Sequence, residues 1–522
     1  MKERVEISKR LTAINSASSL GARILNVSVL VWMNQYLLAH ISDAEYSLYP
    51  VLISVIAFAP LLTMILTSGL GRYTVEAYAR GDEDRVRQIV STMFPLLLAA
   101  GLVLLTGGCT FAWYVDRVLS IPPERLWDAR IMMALLVLSL AARLPAAPFS
   151  VGMYIRQKFV IWNSIDVVAE LFRLALLLVL LLGVSPRIIW VVVAEVTAQL
   201  VRLFVRLAVS RRLVPALRFS FHDIRWSAAR QVTGFGAWNF VMGVADMIRS
   251  AADPIILNKL AMPFDVVVFH LGSIPLRQIK EGAGIVRHPL QPAITAMHAI
   301  GSNKRLRNAY LRGGRLALWV SMCMVAPLIV YRFELFTLYV GSEYRVAGTV
   351  MLLLLMLFPV QFGNLMMSEV AHARGQLRGW SLRLLVMHLV NLGLTFYLVG
   401  VRGMGAVGSG LATFLVLTIG DPILNWPLGF KLAGVDLRSW LRRTYWPGMM
   451  PALASLPVWF ILRYIFQPDT WASLGLCTGL GFLFYMAVTI AFAFQPEDRA
   501  DMQAVAAKVF SIFKRSVSSA KI

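Results

Sequence analysis

The run FGAWNFVMGVADMIRSAADPIILNKL, from Phe235 to Leu260, is followed almost at once by PFDVVVFHLGSIPLRQIKEGAGIVRHPLQP, from Pro263 to Pro292. Both segments are long enough to cross a bilayer, which takes about 20 predominantly apolar residues as a helix. Both also carry charge where a bilayer disfavours it. Asn239, Asp246, Arg249 and Asp253 recur at helical spacing and so line one face of the first segment. His270, Ser273, Arg277, Lys280, Glu281, Gly284, His288 and Gln291 do the same along the second. A charged side chain at the bilayer centre costs at least ~2.5–3.5 kcal/mol, so such faces must meet water or each other. The hairpin therefore predicts a polar cavity inside a membrane protein.

The rest of the chain fits that reading. Of 522 residues, 58% are hydrophobic and only 15% charged, with a mean hydropathy of +0.68. Soluble domains carry about 25% charged residues, so the composition is that of a polytopic membrane protein. The net charge of +22 would suggest nucleic acid in a soluble chain. Here no basic stretch is interleaved with an aromatic platform, and nucleic acid is excluded as a partner. Cys109, Cys323 and Cys477 all fall in apolar segments, which leaves no disulfide framework and no metal or redox pair. No cofactor and no metal are expected. The basic start MKERVEISKRL leads into a long segment without a small-residue cleavage site, and reads as a retained first helix.

Apolar windows predict helices near 14–40, 46–71, 90–114, 130–152, 160–183, 188–208, 234–258, 264–298, 314–333, 346–370, 381–400, 404–428, 447–466 and 472–494. The loops after even-numbered helices hold most of the Arg and Lys: Arg80, Arg85 and Arg87; Arg156 and Lys158; Arg206 to Arg230; Lys304 to Arg315; Arg374 and Arg378; Lys431 to Arg443. The positive-inside bias makes this side, and both termini, cytoplasmic. The opposite loops are short, so no large external domain is expected.

An internal repeat runs through the chain. Ala79-Arg80-Gly81 to Arg87 answers Ala299-Ile300-Gly301 to Arg307, Arg156 with Trp162 answers Arg374 with Trp380, and Leu182-Gly183-Val184 answers Val399-Gly400-Val401. Each copy holds six helices, an even number, so the copies share one orientation, as in transporters built from parallel repeats. The predicted organisation is an all-α polytopic protein: an N-lobe at 1–212 (helices 1–6), a C-lobe at 213–431 (helices 7–12), and two further helices with a basic cytoplasmic tail at 432–522.

Three junctions carry a resemblance to a known family. Ala39-His40-Ile41-Ser42-Asp43-Ala44-Glu45-Tyr46-Ser47-Leu48-Tyr49, Gly341-Ser342-Glu343-Tyr344 with Ala347, and Gly403-Met404-Gly405-Ala406-Val407-Gly408-Ser409-Gly410 resemble helix junctions of bacterial O-antigen and exopolysaccharide lipid-carrier flippases. These belong to the multidrug/oligosaccharidyl-lipid/polysaccharide exporter superfamily. Ser47 departs from the glycine usual in that family. The resemblance implies two six-helix lobes around a cavity of alternating access in the bacterial inner membrane. It also implies an undecaprenyl-pyrophosphate-linked oligosaccharide as cargo, membrane lipids as surroundings, and polysaccharide polymerase or assembly proteins as partners.

Within that frame Arg23, Arg249, Arg277, Lys280 and Arg287 are candidate substrate cations, because a guanidinium fork can hold two phosphate oxygens at once. The competing reading is that they tie helices together, Arg249 through Asp246 or Asp253. Asp246, Asp253, Glu281, His270 and His288 are candidates for proton coupling or for neutralising the cations. Asp166, Glu170, Arg173, Glu195, Glu369 and Asp421 read as helix packing and local salt bridges. Pro254, Pro275, Pro289, Pro292, Pro359 and Pro422 are expected to interrupt helices. The first copy of the hairpin, Ser19 to Gln88, is mostly apolar in its second helix, so the cavity's charge is expected chiefly from the second copy. Multidrug export by the same fold and a non-transporting scaffold are the alternatives. An enzyme would need a catalytic external loop, and none is long enough.

Overall fold

The computed structural model describes residues 27–67, 70–156, 158–234, 236–287, 294, 297, 302–374 and 376–499, and among these it is helical with no strand. Every predicted segment falls on helix where it is described. Among the described residues eight helices are long and apolar enough to cross a membrane, from Glu83–Trp113 and Pro123–Ser150 to Leu437–Phe466 and Trp471–Ala493. Their outer faces carry exposed Val103, Ile423, Ile461, Leu483 and Phe492, each more than half accessible. Apolar area of this extent on helix exteriors calls for lipid rather than water.

Several basic stretches expected as loops are instead helix, Arg211 and Arg212 in Ile189–Leu213 among them. Arg85 and Arg87 lie in Glu83–Trp113, and Lys304 to Arg315 lie in Asn303–Val330. Arg442 and Arg443 lie in a π-helical turn, Leu441–Tyr445. The reason is local. Asp82 accepts the Arg85 N–H at 2.8 Å and so caps a helix that begins before its apolar run. Asp436 accepts the Ser439 N–H at 2.8 Å and does the same before Leu437–Trp440. Hydropathy sees only the apolar part of such helices.

Proline breaks the ladder at Pro359 and Pro422, as expected. By contrast, Pro254 and Pro275 sit inside the continuous helices Gly236–Leu260 and Pro263–Arg287, and Pro289 and Pro292 lie outside the described residues. Pro359 has no N–H for the Leu355 carbonyl, and one helix ends at Leu355 before Leu357–Gln361 begins. Pro422 lies in the π-helical turn Asp421–Asn425. Two further π turns, Tyr397–Val401 and Thr489–Ala493, end helices in the same half of the chain.

The chain divides into two compact units. The first comprises residues 1–274 and 377–417, and the second 275–376 and 418–522, with boundaries inside the helices Pro263–Arg287 and Gly405–Gly420. In the first unit Tyr46 donates to Asn34 at 2.9 Å, and Asn258 both accepts from the Ser120 N–H and donates to its carbonyl. A charged cluster also closes one end: Arg187 donates to both Asp128 oxygens at 2.6 Å, and Arg125 reaches Glu45 at 2.6 Å.

In the second unit Arg315, fully buried, pairs with Asp498 at 2.6 Å and donates to the Arg443 carbonyl at 2.7 Å. Trp319, one turn further on, donates to the Pro447 carbonyl, and its own carbonyl accepts from the Tyr485 hydroxyl. These bonds fasten the last two long helices to Asn303–Val330. The basic tail from Val505 to Lys521 lies outside the described residues.

Candidate functional site

The charged hairpin forms as two helices, Gly236–Leu260 and Pro263–Arg287. Arg23 and His288 lie outside the described residues, as do the side chains of Asp246, Arg249 and Arg287. Of the others, Arg277 and Glu281 sit on one exposed face, four residues apart, while Lys280 is half-buried. The Lys280 ammonium acts electrostatically on Asp421, a residue the sequence associated only with local packing. Asp421 is itself held by Gln361 at 2.8 Å and Asn425 at 2.6 Å. Buried His270 stands edge-on to Tyr46, with ring centres 6.0 Å apart.

Asp253 is buried, and hydroxyls meet it rather than a cation among the described residues. Thr395 donates to it at 3.4 Å, and the Ser409 hydroxyl lies beside it. Asn391 and Thr413 follow at helical spacing on the faces that carry Thr395 and Ser409. The Asn391 carbonyl oxygen and the Thr413 hydroxyl are both buried without a hydrogen-bond partner among the described residues. The polar partners of Asp253 among the described residues are thus hydroxyl oxygens.

The first unit contains a second constellation. Three helices supply it, each through one face: Leu136, Leu140 and Arg143 from Leu126–Ser150; Trp162, Asp166, Glu170 and Arg173 from Phe159–Gly183; and Glu195, Gln199, Arg202 and Arg206 from Ile189–Leu213. Glu170 and Arg173 form the salt bridge that their spacing implied. Arg173 also reaches Glu195 at 3.4 Å, and Gln199 donates to Glu195 at 2.6 Å. This network borders a cavity of about 430 Å³ that is also lined by Tyr49 and Arg143. A neighbouring cavity of about 470 Å³ shares Leu140, Arg143, Gln199 and Arg202 with it and extends to Trp162 and Arg206.

The first repeat copy, expected to be the less charged, therefore holds four arginines at its cavities. Arg143 escaped the sequence reading because it is a single charge inside an apolar window, and Arg202 because it lies between Glu195 and Arg206 in a segment read only for its hydropathy. Helical spacing from Glu195 through Gln199 to Arg202 was the signal that could have found the second of them.

A family model described as polysaccharide biosynthesis protein matches residues 12–276, just over half of the chain. The chain belongs to this polysaccharide biosynthesis family. A relative over most of its length is the uncharacterized membrane protein EpsK of Bacillus subtilis, 21% identical over 482 residues, with 92% of this chain and 94% of that protein covered. Among solved structures, the lipid II flippase MurJ in an inward closed conformation is similar in fold, with a TM-score of 0.67 at 12% identity, over 91% of this chain and 98% of that chain. An inward-facing multidrug resistance MATE family transporter of the MOP superfamily aligns with a TM-score of 0.59 at 12% identity, over 79% of this chain and 98% of that one.

This member of the polysaccharide biosynthesis family is accordingly a multi-pass membrane protein whose fold is that of the MurJ and MATE transporters. Its membrane-embedded charge fits that fold. Cations, carboxylates and amides gather on cavity-lining faces, where they solvate one another, while the opposite faces of the same helices stay apolar.

Proposed function

We propose that the protein is a flippase that carries a polyprenyl-pyrophosphate-linked oligosaccharide from the cytoplasmic to the outer leaflet of the bacterial inner membrane. The observation that carries this reading is the pair of arginine-bearing cavities set among membrane-length helices with apolar exteriors. An oligosaccharide diphosphate cannot cross hydrocarbon unaided. A wet, cationic interior solvates the headgroup while the polyprenyl tail stays in lipid. Two six-helix lobes, one per repeat copy, rock to open the cavity to either side, with fourteen helices in all and both termini cytoplasmic.

On this reading Arg23, Arg249, Arg277, Lys280 and Arg287 contribute positive charge to the headgroup path. Asp246, Asp253, Glu281, His270 and His288 carry coupling or balancing charge. Asp253 is the strongest of these, because its hydroxyl neighbours suit a proton or a hard cation, which prefers oxygen ligands. A charge moving in the membrane field exchanges ~2.3 kcal/mol per 100 mV, enough to bias such a cycle. Export of cationic drugs by the same fold is the weaker reading, since a net cationic cavity repels them.

The test is reconstitution into liposomes with a labelled lipid-linked oligosaccharide in one leaflet. Protein-dependent exposure of the headgroup on the far side is expected. Exposure at the rate of empty liposomes, from protein shown to be folded and inserted, would overturn the proposal.

A further inference from the structure

The end of the second unit that lies farthest from its basic helix starts holds a cleft. The helix Asn303–Val330 begins beside Asp436, which Arg307 reaches at 3.0 Å. It finishes at Tyr331, whose hydroxyl donates to the Trp459 carbonyl at 3.1 Å. Its 28 residues rise about 42 Å, more than the hydrocarbon core is thick. The cleft therefore sits at the membrane surface opposite Arg305, Arg307 and Arg315. Fully buried Trp459 stacks on Tyr485 and fixes one face of the helix Trp446–Phe466. Another face of that helix carries Phe460 and, one turn on, Tyr464, which is 82% exposed. With Glu334, Arg463, Gln467 and Pro468 these rings line a cleft of about 460 Å³, within the usual range of small-molecule sites.

The polar groups of the cleft are only partly spent. Arg463 gives its Nε to one oxygen of Glu334 at 2.6 Å, and its two terminal amino groups make no hydrogen bond among the described residues. The other oxygen, Glu334 Oε2, is shielded from water and has no partner among those residues either, which costs free energy. The terminal torsion of the carboxylate is soft, so a small turn brings that oxygen to the cleft surface. Gln467 ends the helix with a φ of 40°, and it is the one residue other than glycine with a positive φ among the described residues. Glycine takes that conformation freely, whereas a side chain there is disfavoured. A glutamine kept at such a point, its amide free of hydrogen bonds among the described residues, indicates a task for the side chain.

We propose that this cleft binds a pyranose ring of an uncharged, hydroxyl-rich glycan at the outer face of the bacterial inner membrane. A pyranose has a C–H face that covers an aromatic ring, and a rim of hydroxyls that both donate and accept. The Tyr464 ring takes the face. Glu334 Oε2 accepts from one hydroxyl, the remaining N–H groups of Arg463 donate to another, and the Gln467 amide does either. A phospholipid headgroup offers no such face, and an aromatic residue that merely marks the interface needs neither the acceptor nor the amide. The inference takes the outer side and the glycan from the flippase reading. It adds a site on the second unit that shares no residue with the arginine-bearing cavities.

The experiment uses the purified full chain in lipid nanodiscs, with glucose, galactose and N-acetylglucosamine as probes and the open-chain polyol sorbitol as control. Saturation-transfer NMR and titration calorimetry are the readouts. At least one pyranose is expected to bind, with transfer strongest at its ring C–H protons, and sorbitol is not. Tyr464→Leu keeps an apolar side chain toward lipid, and Gln467→Gly removes only the amide arm. Each should weaken the binding at least fivefold.

Without ligand, Gln467→Gly should melt no lower than the wild type, because glycine relieves the positive φ. A lower value would mark the glutamine side chain as a structural tie and overturn the proposal. So would wild-type affinity in both variants, equal binding of sorbitol, or binding of no pyranose by the wild type. In the last case, loss of co-purified phospholipid from the variants would assign the cleft to a lipid headgroup instead. The flippase reading is tested separately by the liposome assay: flipping by a protein that binds no pyranose refutes the cleft alone.

Discussion

The Glu45 carboxylate accepts the backbone N–H of Ile188 at 3.0 Å, across 143 residues of chain. Asp265 accepts the Ala406 N–H at 2.8 Å in the same manner. Asp265 lies 220 residues after Glu45 and Ala406 lies 218 after Ile188, the offset of the sequence repeat. In both places an acid in the first turn of one helix satisfies an amide at the start of another, where the first turn leaves N–H groups free. Glu45→Ala should cost about 1.5–3 kcal/mol, the usual range for a hydrogen bond to a charged group. Asp265→Ala should cost a similar amount. Melting of the purified variants in detergent checks this, and wild-type melting of both would show that the contacts contribute nothing.

Arg315 and Asp498 make the most deeply buried ion pair of the second unit among the described residues. Removing one partner strands the other, at a cost of about 3–5 kcal/mol. Asp498→Asn and Arg315→Met should each lower the melting temperature sharply. The double variant should recover most of the loss, because no buried charge then remains alone. A double variant that melts as the sum of the two singles would contradict this account.

Asp253→Asn keeps the shape and the acceptor for Thr395 but removes the charge. If this residue carries coupling charge, the variant should stay folded while flipping slows at least tenfold and loses its response to pH and to ion gradients. Unchanged transport with unchanged ion dependence would leave Asp253 as packing.

Lys280 and Asp421 give a way to separate structure from transport. Lys280→Gln should lower stability, since Asp421 loses a nearby cation. Lys280→Gln combined with Asp421→Asn should restore stability. If Lys280 also meets the headgroup, flipping remains impaired in the restored protein. Recovery of both together would confine Lys280 to a structural role.

Much of the fold was legible because a bilayer imposes long apolar windows, and all the predicted segments that can be compared are helical. Pro359 and Pro422 were readable for an equally local reason, the missing N–H. Glu170 with Arg173 needed only helical spacing. The basic starts of the helices at Glu83 and Asn303 were not readable by hydropathy, which counts Arg85 or Arg307 as loop although both lie in helix. Contacts between distant helices were the least accessible. Nothing in the neighbourhood of Asp253 announces Thr395, and nothing near Arg315 announces Asp498. Arg143 and Arg202 show the converse case: charges averaged away by apolar neighbours in a hydropathy window, whose common cavity exists only once three helices have packed.

The four π turns at 397–401, 421–425, 441–445 and 489–493 bear on how relatives of this protein should be compared. A π turn holds one more residue than the α turn it replaces, and one residue corresponds to about 100° of rotation. Deleting a single residue there would leave an ordinary helix whose remaining side chains all face a new direction. One-residue gaps in an alignment therefore belong inside these helices as much as in loops. A gap moved to the nearest loop would assign every residue in between to the wrong face.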